Sequence, residues 1–260
     1  MKKHRLVTAM ALVMAVTTSA SSMADTGKPT IVLVHGAFAG SDSWNGVIKV
    51  LAKDGYTVIA AANPLRSLKG DAESVTDLLK GVSSPVVLVG HSYGGPVISE
   101  AAYGQANVKA LVYVSAFAPQ AGESAVALTG KFPGATLGPT LAKPVELAGG
   151  GKDLYIQQDK FHDQFAADVP EAQARLMAAT QRPVTEGALN EAASEPAWKT
   201  IPSWWIYGDK DKNIPPQAMK FMAERAQSRQ TVVVKGASHV VMVSHPQAVA
   251  KIIESAATAP

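Results

Sequence analysis

Apolar residues along this chain gather into short unbroken runs separated by amphipathic stretches. Six runs stand out, over 30–34, 56–60, 86–89, 108–114, 204–207 and 231–234. They are four to seven residues long, rich in β-branched or aromatic side chains and bounded by Gly, Pro or Asn. Such runs predict strands buried on both faces. The stretches between them carry helical spacing and end signals. One helix is expected over 43–53, capped by Ser41 or Asp42 and stopped by Gly55. A second is expected over 71–79, with Asp71 as its cap and Gly81 beyond its end. Others are expected over 96–103, 216–226 and 246–256. Strands that alternate with helices predict an α/β fold, with a mostly parallel sheet of about six strands and helices on both faces.

The alternation breaks once, over about 118–199, where no core strand is legible. Residues 130–151 are rich in Gly and Pro and end in Gly149-Gly150-Gly151, read as a loose loop. Helical patterns follow over 171–180 and 186–193. A long segment without a core strand, set between two sheet strands, reads as an inserted cap. The fold domain is then 25–260, with the cap inside it.

The first 24 residues have a different character. Lys2, Lys3 and Arg5 precede the apolar stretch 6–16, and Ser22-Met23-Ala24 has the small residues that signal peptidase needs. This predicts an export signal over 1–24, cleaved after Ala24 or, as second choice, near Ala20, and a periplasmic or secreted protein. An apolar stretch of this length is too short to span a bilayer, which takes about 20 residues. The whole chain carries 24 basic and 21 acidic residues; without Lys2, Lys3 and Arg5 it is 21 against 21. The basic balance therefore belongs to the leader and gives no support for nucleic-acid binding. Zero cysteines exclude disulfides and cysteine catalysis, and 47% hydrophobic residues suffice for a large core without staples.

The third run leads into Gly90-His91-Ser92-Tyr93-Gly94-Gly95. Strand, Gly-x-Ser-x-Gly and helix together make a nucleophile elbow, which lifts the serine hydroxyl to the tip of a tight turn. Ser92 is the expected nucleophile. A serine hydroxyl barely ionises at neutral pH and needs an imidazole to take its proton. His239, in Gly236-Ala237-Ser238-His239 after the last strand, is the expected base. His245 stands at a helix start, His162 in the cap and His4 in the leader. His91 should point away from its neighbour Ser92, and His35 should brace loops. The acid that orients the base is expected after the fifth strand, in Gly208-Asp209-Lys210-Asp211, where Asp211 is favoured over Asp209. The oxyanion hole is assigned to the N–H of Tyr93 and to that of Ala37 in His35-Gly36-Ala37, with Phe38 as runner-up for the second donor. Phe38, Phe117 and Met242 are candidate substrate contacts, with Phe161, His162 and Phe165 weaker ones. No metal-ligand or phosphate-loop pattern is present, and no metal or cofactor is expected.

With these residues in hand, the chain resembles the α/β-hydrolase superfamily over about 30–255. His35-Gly36-Ala37 with Trp44, and Gly-His-Ser-Tyr-Gly-Gly, resemble the small esterases related to plant salicylate-ester hydrolases and hydroxynitrile lyases. The lyases of that group typically carry a lysine after the catalytic histidine and a threonine after the first-strand histidine. Here those places hold Val240 and Gly36, which fits the esterase branch. The resemblance implies a serine hydrolase that cleaves small, neutral or hydrophobic carboxylic esters through an acyl-enzyme. A lactonase, an amidase, a perhydrolase or a carbon–carbon bond hydrolase would use the same triad. A reading of another class is a non-catalytic ligand-binding protein on a hydrolase scaffold. The sequence leaves the oligomeric state open.

Overall fold

The computed structural model describes residues 27–260, so the leader lies outside the described residues. In chain order the elements of the first part are β1 (Thr30–Val34), α1 (Asn45–Lys53), β2 (Val58–Ala61), α2 (Leu68–Lys80), β3 (Val86–His91), α3 (Gly94–Ala101) and β4 (Val108–Val114). Then come α4 (Ala125–Gly130), β5 (Val145–Glu146), β6 (Lys152–Leu154), α5 (Gln158–Phe165), α6 (Glu171–Thr180), β7 (Val184–Thr185) and α7 (Glu186–Asn190). The chain closes with β8 (Ser203–Gly208), α8 (Pro216–Arg225), β9 (Gln230–Val234), α9 (Val241–Ser244) and α10 (Pro246–Thr258).

Six strands form one parallel sheet in the order β2-β1-β3-β4-β8-β9. The runs are apolar throughout because the sheet is covered on both sides: Ile31 to Val34 and Val86 to Val89 are all fully buried. Helices α1 and α10 pack together, as do α2 and α3. Strand order reverses at β1, which lies between β2 and β3. At such a switch point the loops leaving neighbouring strands diverge, and a crevice opens at their carboxyl ends. The loops after β1 and β3 meet there.

Two expected helix starts are corrected. Helix α2 begins at Leu68, and its cap is Ser67, whose hydroxyl accepts from the Gly70 N–H at 3.1 Å. Asp71 is not the cap; its carboxylate is fully buried and accepts from Arg66 N–H (3.0 Å) and Tyr93 O–H (2.9 Å). Before α1, residues Ser41–Trp44 form a 3-10 turn, and neither Ser41 nor Asp42 caps it. The Ser41 hydroxyl instead donates to Ala61 O at the end of β2.

The cap between β4 and β8 has strands of two or three residues only. They form a separate antiparallel sheet, β5-β6-β7. Gly149-Gly150-Gly151 turns the β5–β6 hairpin; Gly150 and Gly151 adopt φ of 89° and 87°, which only glycine takes readily. Helix α7 stops at Asn190, short of the expected 193, where the Glu191 carboxylate turns away to accept from Leu68 and Lys69 N–H at 2.6 and 3.1 Å.

Candidate active site

Ser92 sits between β3 and α3 with φ of 54°. A β-carbon residue in this left-handed region is strained by about 1–3 kcal/mol and stays there only where its surroundings impose it. Here they do. Ser92 N–H donates to Val114 O at 3.2 Å, and Ser92 O accepts from Gly95 and Phe117 N–H at 3.0 and 3.2 Å. The turn is also too tight for side chains. A Cβ on Gly90 would lie 2.5 Å from Gly94 O, and one on Gly36 would lie 2.6 Å from the Ser92 Cβ. The same closeness brings the β1 loop against the elbow.

His239 is 1% exposed and lies in the loop after β9. Its Nδ1 is 2.7 Å from Asp211 Oδ2. A carboxylate only accepts, so Nδ1 carries the proton and Nε2 is the basic edge. Nε2 is buried and has no hydrogen-bond partner among the described residues. Asp211 Oδ1 accepts from the N–H groups of Asn213 (2.8 Å) and Ile214 (2.9 Å), which fixes the carboxylate in the loop after β8. Asp209 is used otherwise: its Oδ1 accepts from Gly236 N–H at 2.6 Å and holds the base loop. Ser92 and His239 are not hydrogen-bonded to each other. Such contacts often close only when substrate is present.

The Ala37 and Tyr93 N–H groups have no hydrogen-bond partner among the described residues. The N–H of Phe38, the runner-up, donates to Arg182 O at 3.0 Å and is occupied. The Tyr93 hydroxyl is anchored on Asp71, and burial pushes its ionisation far above the ordinary range. Burial also raises the pKa of Asp71.

The other described histidines are fully or partly committed. His35 Nε2 accepts from Asn63 N–H (3.1 Å) while its Nδ1 lies 2.9 Å from Gly36 O. Burial lowers its pKa to about 4. His91 is fully buried, with Nε2 3.2 Å from His239 O, and burial holds its pKa well below 6.5. Its ring lies 4.8 Å from that of His239.

A cavity of about 700 Å³ opens above Ser92. Its wall includes Ala37, Phe38, Tyr93 and Phe117 from the strand-end loops and Phe132 and Phe165 from the cap. Phe165 stands edge-on to His239, with centroids 5.1 Å apart. Met242 is corrected as a substrate contact: it is fully buried in α9 and is not part of the wall. Phe161 is fully buried too, and His162 Nε2 lies 2.9 Å from Val169 O. Sequence reasoning missed the Asp71–Tyr93 bond, because Asp71 matched a helix cap. It also missed Gln164 and Asn213, whose polarity in a loop-rich segment carries no signal until their 2.6 Å hydrogen bond is seen.

A parallel sheet with a serine elbow after β3, an acid after β8 and a histidine after β9 defines an α/β-hydrolase. The chain belongs to the alpha/beta hydrolase family, which it matches over residues 31–252. It is 27% identical over 252 residues to the alpha/beta hydrolase nvfD of Aspergillus novofumigatus, covering 88% of this chain and 97% of that one. It is 26% identical over 253 residues to an alpha-hydroxynitrile lyase of Arabidopsis thaliana, covering 89% and 98%. Among solved structures it resembles polyneuridine aldehyde esterase, with a TM-score of 0.75 at 20% identity over 88% of this chain and 98% of that one.

Proposed function

We propose that this protein is a serine esterase acting on neutral, largely hydrophobic carboxylic esters. The observation that carries the reading is the buried Asp211–His239 hydrogen bond in a fold that also holds a serine elbow at positive φ. Ser92 Oγ attacks the ester carbonyl while His239 Nε2 takes its proton. The Ala37 and Tyr93 N–H groups receive the negative charge on the carbonyl oxygen; losing one such donor typically costs about 3 kcal/mol of barrier. Collapse expels the alcohol, which leaves with the proton from His239. Water then attacks the acyl-enzyme by the same route and releases the acid. Asp211 keeps the imidazole in the tautomer that this sequence needs.

The cavity supports the substrate class. Small-molecule sites commonly measure about 300–1,000 Å³, so about 700 Å³ has room for more than a short-chain ester. Four phenylalanines in its wall favour an apolar acyl or alcohol group. The similar lyase does not redirect the reading, since Gly36 and the fully buried Val240 stand at the two positions that mark that branch. The leader supports export to the periplasm or beyond; protein purified from an exporting host should begin at Asp25, and one that retains Met1 would sink that part.

A fluorophosphonate probe tests the chemistry. The wild type should be labelled and Ser92→Ala should not. A wild type that stays unlabelled while a control esterase reacts would overturn the esterase reading in favour of a binding protein on a hydrolase scaffold.

A further inference from the structure

We propose that cap helix α5 and the turn after it position the base and its acid, with Gln164 acting on Asp211 through Asn213 and Asp168 acting on His239 through Ser238. The proposal rests on the triad reading above. It gives the cap a part in the reaction itself, beyond shaping the substrate cavity.

The acid side is a relay through Asn213, which is held by its side-chain oxygen and holds Asp211 by its backbone N–H. Gln164 is 4% exposed, which is unusual for an amide side chain that could sit in water. Its Nε2 donates to Asn213 Oδ1 at 2.6 Å and to Lys212 O at 3.1 Å. Its Oε1 accepts from Thr136 Oγ1 at 2.9 Å, so the amide is fixed in one orientation. Asn213, 5% exposed, passes its own N–H to Asp211 Oδ1 at 2.8 Å. Asp211 Oδ2 then meets His239 Nδ1. The bonds from Gln164 to Asn213, from Asn213 to Asp211 and from Asp211 to His239 are all buried, and a buried network holds its shape because breaking it leaves an unsatisfied group.

The base side has its own tether. Ser238, the residue before His239, is 2% exposed and donates its hydroxyl to Asp168 Oδ1. The same hydroxyl lies 3.4 Å from Phe165 O, and the Phe165 ring rests on His239. Asp168 Oδ2 is 3.5 Å from His245 Nδ1, between α9 and α10. The last turn of α5 and the residues just beyond it thus touch the loops after β8 and β9 together. A buried amide between Phe161 and Phe165 on the inner side of α5 is unexpected for a helix that only covers a substrate, because covering needs apolar area alone.

Gln164→Met tests this with a side chain of similar length and no hydrogen bond. The expected result is a fall in kcat of up to about 100-fold, the scale of a small misplacement of reacting groups, with KM within about twofold. Fluorophosphonate labelling of Ser92 should slow by the same factor, and the low-field proton resonance of the His239–Asp211 hydrogen bond should shift or broaden. Ser238→Ala is the second variant, and it keeps the test open if Gln164→Met fails to fold. It should lower kcat and the labelling rate in the same way, by about 10-fold. Labelling rate, kcat and resonance all unchanged in a folded variant would overturn the proposal, as would a change confined to KM or melting temperature. A wild type that takes no label would overturn the triad reading instead.

Discussion

The sheet and the cap of this molecule are held by different means. In the sheet, β1, β3 and β4 are buried along their length and each hydrogen-bonds to two neighbours. Apolar burial and the backbone ladder fix every residue, at roughly 25 cal/mol for each Å² of apolar surface removed from water. In the cap, strands run two or three residues, and side chains do the tethering. Glu191 holds the start of α2, Thr185 Oγ1 donates to Arg66 O at 2.7 Å, and Gln164 holds the acid loop. The difference separates two jobs. The sheet places the residues of the proposed triad, since Ser92, Asp211 and His239 lie in the loops after β3, β8 and β9. The cap supplies much of the wall that selects what enters, and its polar tethers can change without disturbing the ladder.

The largest effect should come from the sheet side. Asp211→Asn keeps the shape but lets the imidazole adopt the wrong tautomer, and kcat should fall about 10⁴-fold, as for other triads. Asp209→Asn keeps an oxygen that can accept from Gly236 N–H and loses only the charge, so it should cost less than about 10-fold, because Asp209 only braces the loop. Steady-state kinetics on one chromogenic ester decide between them. Equal losses would break the assignment of Asp211, and a larger loss for Asp209 would reverse it.

The same division explains what could be read from the sequence. The four inner strands were legible because strands buried on both faces must be close to continuously apolar, and the edge strands β2 and β9 by their β-branched residues, although they are only partly covered. The elbow was legible because Gly90 and Gly94 leave no room for a Cβ. Asp211 was favoured over Asp209 by position, and Asp211 is the one whose Oδ2 lies 2.7 Å from His239 Nδ1. Helix starts were misplaced where one polar residue can serve two ends. Asp71 reads as a cap, yet its carboxylate anchors Tyr93 across the fold. The tethers of the cap stayed hidden because a glutamine or an aspartate in a segment without a core strand looks like a solvated residue. Only tertiary contact makes Gln164 a buried group. Phe165 could be singled out as an aromatic residue, but its place against His239 depends on a fold-back that no periodicity encodes.

Acid sharpens the comparison from the sheet side, where His35 and His91 are buried without charge. Folded His35 titrates at about 4, and its ordinary value is 6.5. Between those values the unfolded chain binds a proton that the folded chain refuses. Its contribution is therefore complete above pH 6.5 and is lost as pH falls toward 4, on the order of 3 kcal/mol in all. His91 acts in the same direction. Urea unfolding at several pH values should show stability falling through this window in the wild type, with a shallower fall in His35→Gln. A variant that loses stability with acid as steeply as the wild type would show that His35 is not part of the acid sensitivity.

The smallest effect probes the seam between the two regions. The Arg66 guanidinium joins Asp153 of β6 at 2.6 Å and Pro183 O at 2.8 Å, so it pins the cap sheet to the loop before α2. Its side chain is 42% exposed, against 11% for Asp153, and water screens much of the attraction. Arg66→Ala should therefore cost only about 1 kcal/mol, most of it from leaving the buried Asp153 carboxylate without this partner. What matters is where that cost falls. If the cap is held by side chains and the sheet by its ladder, hydrogen exchange should quicken at the amides of β6 and β7 and stay unchanged in β1 and β3. Equal acceleration in both would mean that cap and sheet open as one unit. The division of labour between them would then be one of chemistry alone, with no difference in stability beneath it.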